Sequence, residues 1–226
     1  MNIKNIFKKK KNLTEDEKAE RFWSWFQKSQ NRFLFLSDID GEEKENLLDE
    51  FLTEIHKFNE NVYFEIGGHK DDEKVELIIS AEGDIDYFPV VEKLTELAPN
   101  FKNWKVIAFK PAMGTGFSLD YRDKKFDPEK IIFIPLNSKS NPESVGLNVC
   151  YPDFEESEEE IFVNGTYLIL DTILGEKSTT MDIDYLKVIK TPENIADYNF
   201  GHLSDIAEHI AEKKTYANNG NRCTSL

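Results

Sequence analysis

Residues 62–111, VYFEIGGHKDDEKVELIISAEGDIDYFPVVEKLTELAPNFKNWKVIAFKP, decide the fold. Apolar and polar residues alternate at the start of this stretch and again over 75–81, a period of two that is typical of β-strands. The apolar residues of 87–98 then recur at helical spacing, and a dense apolar run follows over 104–109. The order hairpin, helix, strand therefore predicts one ββαβ module over about 61–111.

A weaker copy of this order spans about 130–190. The stretches IIFIPLN (131–137) and VGLNVCY (145–151) have the pattern of two strands. IFVNGTYLILDTIL (161–174) has helical spacing, and DIDYLKVI (182–189) supplies a closing strand. Residue identity between the two copies is slight, so we interpret them as a duplication of pattern.

Two amphipathic helices, within 14–34 and 40–58, precede the modules, and we expect both on one face of the first sheet. The sequence thus predicts an α+β fold of two ββαβ modules in a ferredoxin-like layered sheet, preceded by two N-terminal helices. We expect a disordered basic arm over 1–13, a single domain over 14–213 and a disordered tail over 214–226.

The chain is strongly acidic, with 43 Asp and Glu against 28 Lys and Arg, and a net charge of −15. Its first twelve residues hold five lysines and no acidic residue, so the rest is more acidic still. Such a surface repels phosphate backbones, which argues against a nucleic-acid partner. It suits a basic protein partner instead.

Cysteine use and hydropathy indicate the compartment. Cys150 and Cys223 provide neither a disulfide framework nor a paired metal-ligand spacing. No apolar run approaches the ~18 residues of a membrane span, and the basic N-terminus lacks the apolar region of a signal peptide. We therefore expect a cytoplasmic protein without membrane contact, and no motif indicates a cofactor.

A candidate binding site lies on the sheet of the first module. Pairing the two apolar rows of the hairpin on one face sets Phe64 opposite Leu77 and Glu65 opposite Glu76. Like charges directly opposite each other need neutralisation, and Lys105 on the third strand is placed to provide it. Glu65, Glu76 and Lys105 are thus candidate ligand-binding residues, and a small-molecule binding domain is one functional alternative.

A second candidate binding residue, Lys110, opens the segment KPAMGTG (110–116). A lysine and two glycines after a strand are features of an anion-binding loop. The segment fits neither the P-loop nor the dinucleotide-binding fingerprint, so an irregular connector is the alternative.

His202, Asp205 and His209 are spaced i, i+3 and i+7 on one face of a predicted last helix. Imidazole nitrogens together with a carboxylate suit zinc. That face is opposite the apolar one, so solvent exposure is the alternative, and we assign no metal beyond these candidates.

The run FLFLSDIDG (33–41) resembles the nucleophile motif of haloacid dehalogenase-type phosphatases. The resemblance implies a metal-dependent phosphohydrolase in which Asp38 attacks phosphorus and Asp40 handles the proton of the leaving group. However, Glu42 stands where that family carries Thr or Val, and only about 40 residues lead to the loosely similar metal-binding segment LIISAEGD (77–84), too few for a Rossmann-like core. The alternative is a helix-to-helix turn with Asp40 as cap.

Five phrases together resemble a family of uncharacterised bacterial cytosolic proteins, and the likeness covers most of residues 20–190. The phrases are FWSWFQ (22–27), VYFEIGG (62–68), ELIISAEGD (76–84), WKVIAFKPAMG (104–114) and LDTILGEKS (170–178). The resemblance implies a common fold and a bacterial cytoplasm. It carries no established activity and transfers no catalytic residue.

These observations favour a non-catalytic binding or regulatory protein over an enzyme. Its acidic surface would meet a basic partner, and an immunity protein or an inhibitor is one such case. The phosphohydrolase and the small-molecule binding domain are the alternatives.

Overall fold

The protein forms two compact units. The computed structural model describes residues 13–34, 36, 39–67, 73–141 and 144–220, the last five by backbone alone. The first unit is Met1–Ala81 with Asp86–Ala108, and the second is Glu82–Ile85 with Phe109–Leu226. Within the described residues the chain is mixed α+β, with six α-helices and three small sheets. No helix in these ranges combines the length and the apolar character that crossing a bilayer requires.

The described part of the first unit contains three α-helices and a three-stranded sheet. Its elements in chain order are α1 (Glu15–Ser29), α2 (Glu42–His56), β1 (Tyr63–Gly67), β2 (Val75–Ser80), α3 (Phe88–Glu96) and β3 (Trp104–Ala108). Strand β2 lies in the middle, antiparallel to β1 and parallel to β3. The parallel pairing requires a crossover connection, which α3 supplies.

Aromatic rings hold α1 and α2 on one face of this sheet. Phe51 of α2 stacks on Phe64 of β1 with ring centroids 4.0 Å apart. Phe26 of α1 packs edge to face against Trp104 of β3, with ring centroids 5.1 Å apart. The strand register puts Phe64 and Trp104 on the same face, so the predicted placement of both leading helices is confirmed.

The hairpin register differs from the predicted one by two residues. Phe64 lies opposite Ile79, and Glu65 lies opposite Ile78. Glu76 lies opposite Gly67, so the predicted Glu65–Glu76 pair is wrong. A shift of two residues keeps every side chain on its face, and the apolar pattern therefore cannot distinguish the two registers.

The second unit contains two sheets and the remaining helices. Its elements are β4 (Leu119–Tyr121), β5 (Lys124–Phe126), β6 (Ile132–Leu136), β7 (Gly146–Tyr151), α4 (Glu159–Leu174), α5 (Glu176–Asp182), β8 (Tyr185–Lys190), β9 (Gly201–His202) and α6 (Ile206–Gly220). Strands β4 and β5 form a small hairpin, and the larger sheet has the order β8-β7-β6-β9. Strand β7 is antiparallel to β6 and parallel to β8.

Several elements of this unit differ from the sequence-based predictions. Helix α5 fills the interval between α4 and β8, so the closing strand begins at Tyr185 instead of Asp182. Helix α6 continues to Gly220, past residue 213, where we expected the domain to end. The predicted strands lacked β9, whose two residues are too few to produce a periodic pattern.

Helix α4 packs closely against the core of the second unit at Gly165. A Cβ on Gly165 would lie 2.2 Å from Cζ of Phe126, whose side chain is buried. Nearby, the hydroxyl groups of Tyr151 and Thr166 share a buried hydrogen bond of 2.7 Å. Close packing of α4 therefore depends on the absence of a side chain at residue 165.

We expect Gly165→Ala to destabilise the fold by about 1–3 kcal/mol, because the added methyl must displace a ring in a packed core. The better helix propensity of alanine, worth up to ~1 kcal/mol, does not offset this cost. Urea denaturation measures the difference. Gly116→Ala is the control, since no described atom lies within 4 Å of a Cβ at residue 116. An unchanged or increased free energy of unfolding for Gly165→Ala would contradict this packing.

Candidate functional site

The second unit contains a cavity of about 390 Å³. It is bounded by the turn at residues 82–83, by α4 and α5, and by the start of β8. Its chemically distinctive lining residues are Glu82, Tyr167, Asp171, Thr179, Asp184 and Tyr185. The volume lies at the lower end of the range for small-ligand sites, roughly 300–1,000 Å³.

A sharp corner between α4 and α5 brings Asp171 and Thr179 to this cavity. Gly175 ends α4 with a φ of +80°, a conformation that favours glycine. Its N–H donates to the carbonyl oxygen of Asp171 at 2.8 Å, and its own carbonyl accepts the N–H of Thr179 at 3.0 Å. A Cβ on Gly175 would lie 3.0 Å from the Ala112 nitrogen and the Lys110 carbonyl oxygen. Both the backbone angle and the close approach therefore require glycine at this corner.

The carboxyl group of Glu176 fixes another wall of the cavity. Its side chain is fully buried. Oε1 accepts the N–H of Gly83 at 3.0 Å, and Oε2 accepts the N–H of Lys110 at 3.2 Å. The Thr180 hydroxyl donates to the Gly83 carbonyl at 3.4 Å. Because backbone N–H groups need a partner, these bonds hold the turn at residues 82–83 against the start of α5.

Three carboxyl groups line the cavity, and they have different partners. Glu82 accepts a hydrogen bond from Nζ of Lys110 at 2.8 Å. Asp184 accepts the N–H of Val145 at 2.8 Å through Oδ2. The Asp171 carboxyl forms no ion pair with the described residues, and the Thr179 hydroxyl beside it lies outside normal hydrogen-bond geometry. Asp171 is thus the least compensated charge in the cavity wall.

Burial raises the pKa of Asp171 above its ordinary value. The hydroxyl of Thr179 beside it and the positive charge of Lys110 act in the opposite direction. The negative charges of Glu176 and Glu82 add to the increase. Since the loss of solvation dominates, a cation entering the cavity would supply the compensation that Asp171 lacks.

Thr179 is a second uncompensated group in the wall. Its side chain is only 4% exposed, and Oγ1 has no hydrogen-bond partner among the described residues. A buried hydroxyl without a partner costs about 1–3 kcal/mol. A ligand that carries several donors would be able to satisfy Thr179 and Asp171 together.

Two tyrosine rings stand at the rim of the cavity. Tyr167 is 45% exposed and Tyr185 is 51% exposed. Tyr167 lies one turn before Asp171 on α4, so the two side chains share a helix face. Tyr185 follows Asp184 at the start of β8. Exposed aromatic faces attract ammonium and guanidinium groups, so the cavity suits an organic cation.

The candidate residues of the first sheet have a local ion pair. Nζ of Lys105 lies 2.7 Å from Oε1 of Glu76, so Lys105 pairs with one of the two glutamates that it was expected to neutralise. Glu65 faces Ile78 across the hairpin, so it does not share a charged pair with Glu76. Lys110 belongs to the second unit, where it pairs with Glu82. A ligand-binding role for Glu65, Glu76, Lys105 and Lys110 stays a prediction.

The predicted zinc candidates lie in three different elements. His202 pairs with Ile132 in the sheet, Asp205 is exposed in a short 3-10 turn, and His209 lies in α6. The ring of His209 packs on Phe133 at 5.2 Å, and burial lowers the pKa of His209. In the described part of the chain, no three His, Cys, Asp or Glu side chains are placed to hold a metal. The alternative of solvent exposure is wrong for both histidines, since each is half-buried.

The phosphatase-like motif falls in a turn. Asp38 lies outside the described residues. Asp40 is exposed, and the helix cap is Gly41 with a φ of +68°, so the predicted Asp40 cap is wrong. Phe33 and Leu36 are buried in turn and 3-10 structure, as the helix-to-helix alternative predicts.

One signal for this cavity is present in the sequence. Asp171 is the only charged residue in the apolar helix 161–174, and a charge inside a buried helix demands compensation. Nothing local pairs Glu176 with Gly83 and Lys110, which are 93 and 66 residues away along the chain.

Comparisons with protein-family models, with curated proteins and with solved structures find no match for this chain. The resemblance to uncharacterised bacterial cytosolic proteins therefore stays a prediction, and the cavity has to be interpreted from its own chemistry.

We expect Asp171→Asn to raise the thermal midpoint at pH 7, because it removes a charge that burial disfavours. Between the ordinary and the raised pKa, the folded state binds more protons than the unfolded state, so wild-type stability falls as the pH rises through that window. The advantage of the variant should therefore shrink as the pH approaches 3, where the carboxyl is protonated in both states.

Scanning calorimetry from pH 3 to pH 7 measures this difference. Asp49→Asn is the matched control, because Asp49 is exposed on α2 and its substitution should have little effect. A lower midpoint for Asp171→Asn at pH 7 would mean that the carboxylate is already compensated.

Proposed function

We propose that this chain is a non-catalytic binding protein that takes up a basic protein partner through the cavity of its second unit. The observation that carries the proposal is the Asp171 carboxyl group. It is half-buried and lacks an ion pair among the described residues, in a chain whose net charge is −15. A buried charge of this kind is costly by itself and gains its compensation when a cation binds.

The charge of the chain supports a macromolecular partner. Exposed glutamates crowd the segment 155–160, which leads into α4. Nζ of Lys124 lies 2.8 Å from Oε2 of Glu158 and 3.4 Å from Oδ2 of the nearby Asp153. This one lysine compensates only part of the local negative charge. An extended negative field accelerates the encounter with a basic protein and disfavours nucleic acid. An immunity protein or an inhibitor of a basic toxin has this physical character.

The same proposal includes the finer fold and the compartment. We propose that residues 61–111 and 130–190 are two copies of a ββαβ module in a ferredoxin-like arrangement, within a single domain that starts at residue 14 and lies in the bacterial cytoplasm. Support comes from the pairing in each sheet, where the second strand of an antiparallel hairpin pairs in parallel with the strand after the helix.

Titration calorimetry with a decapeptide of alternating arginine and lysine tests the proposed function. We expect affinity to weaken between 25 and 300 mM salt, because exposed charges are screened. Asp171→Asn should weaken binding by about tenfold, as expected for one lost charge-assisted contact. Asp49→Asn removes the same charge from an exposed helix and should change affinity by less than about twofold.

Two results would contradict the proposal. Equal losses in both variants would indicate diffuse charge attraction without a site. Absence of binding at 25 mM salt would remove the basic partner altogether.

A further inference from the structure

We infer that the cavity receives the guanidinium group of an arginine side chain, an assignment that rests on the proposed function and specifies what the partner presents. Two neighbouring groups in the wall are only partly compensated by the described residues: the Asp171 carboxyl has no ion pair, and the Thr179 hydroxyl makes no hydrogen bond of normal geometry. Two tyrosine rings border the opening. The ligand must therefore be a cation, must carry several donors and must have flat or apolar faces.

The polar groups of the wall favour guanidinium over ammonium. A guanidinium group has five N–H donors in one plane and binds a carboxylate with two parallel hydrogen bonds. With both bonds made to Asp171, further donors remain for Oγ1 of Thr179. An ammonium group has three donors around a single point and is more strongly hydrated, so its transfer to a half-buried carboxyl costs more.

The rim completes the arrangement. Tyr167 and Tyr185 are both about half exposed, and a guanidinium plane stacks on such rings. The aliphatic stem of arginine can cover the remaining ring surface while its charged end reaches inward. At about 390 Å³, the cavity has room for one such side chain with adjoining backbone. Anions are excluded, because Glu82 and Asp184 also line the wall.

The other two carboxyl groups of the wall, Glu82 and Asp184, already have partners, so Asp171 is the main acceptor for a ligand. Glu82 is engaged by Lys110, and Asp184 is engaged by the backbone of Val145. These two groups add negative potential without offering a fully open acceptor. The negative charge of the wall favours cations over anions. The arrangement of Asp171 and Thr179 then favours arginine over lysine.

Three small probes of matched shape test this inference by NMR titration of the ¹⁵N-labelled full chain. They are the N-acetyl methylamides of L-arginine, L-lysine and L-citrulline, the last being a neutral isostere of arginine. We expect the arginine probe to shift the amides of Asp171, Thr179 and Tyr185 and to bind about tenfold more tightly than the lysine probe. The citrulline probe should not saturate these shifts.

Thr179→Val provides a variant that separates binding from structure. Valine has nearly the shape of threonine, so the variant should fold and should gain stability from the loss of an unpaired hydroxyl. We nevertheless expect its affinity for the arginine probe to fall about threefold to tenfold. A merely structural role for Thr179 would leave that affinity unchanged, and this result would overturn its place in the inference.

The outcomes separate this inference from the proposed function. Equal affinity for the lysine and arginine probes would overturn guanidinium recognition while the basic partner stands. Binding of the basic decapeptide without shifts at Asp171, Thr179 and Tyr185 under the arginine probe would place the arginine contact elsewhere and overturn the inference as well. Saturation by the citrulline probe, with affinity equal to that of arginine, would contradict both.

Discussion

The interaction on which the cavity depends is the pair of backbone hydrogen bonds accepted by the buried carboxyl of Glu176. One oxygen binds the N–H of Gly83 and the other binds the N–H of Lys110. Both peptide groups lie in irregular chain that has no strand or helix partner at these donors. The Glu176 side chain therefore satisfies backbone N–H groups that a neighbouring strand would satisfy in a sheet. It thereby holds the turn at residues 82–83 in place as one wall of the cavity.

Two acidic side chains of neighbouring helices illustrate opposite uses of burial. Glu176 is fully buried and has both oxygens occupied by described donors, so it contributes to structure. Asp171 lies five residues earlier, and burial raises its pKa because the fold supplies little compensation. Asp171 and the unpaired hydroxyl of Thr179 therefore destabilise the folded state locally. Such local destabilisation is typical of functional sites, where a bound ligand supplies the missing interactions.

Local pattern was sufficient for the first sheet and insufficient for the cavity. The alternation around Phe64 and the helical spacing in α2 and α3 predicted these elements, because each depends on burial of one face. The register was wrong because a two-residue shift leaves that burial unchanged. Helix α5 has seven residues and no strong apolar period, so the local pattern did not predict it. Its position in the fold is set by the positive φ of Gly175 and by the long-range hydrogen bonds of Glu176. Contacts between residues far apart in sequence leave no periodic trace.

Amide hydrogen exchange in a Glu176→Gln variant tests the central constraint most directly. Glutamine keeps the shape of the side chain but has one acceptor oxygen instead of two, so one of the two backbone donors loses its partner. We expect the amide of Gly83 or of Lys110 to exchange about tenfold faster or more, which corresponds to the loss of one buried hydrogen bond. Amides of β7, such as Val149, should keep their protection. Unchanged exchange at both Gly83 and Lys110 would contradict the account, because the wall of the cavity would then not depend on Glu176.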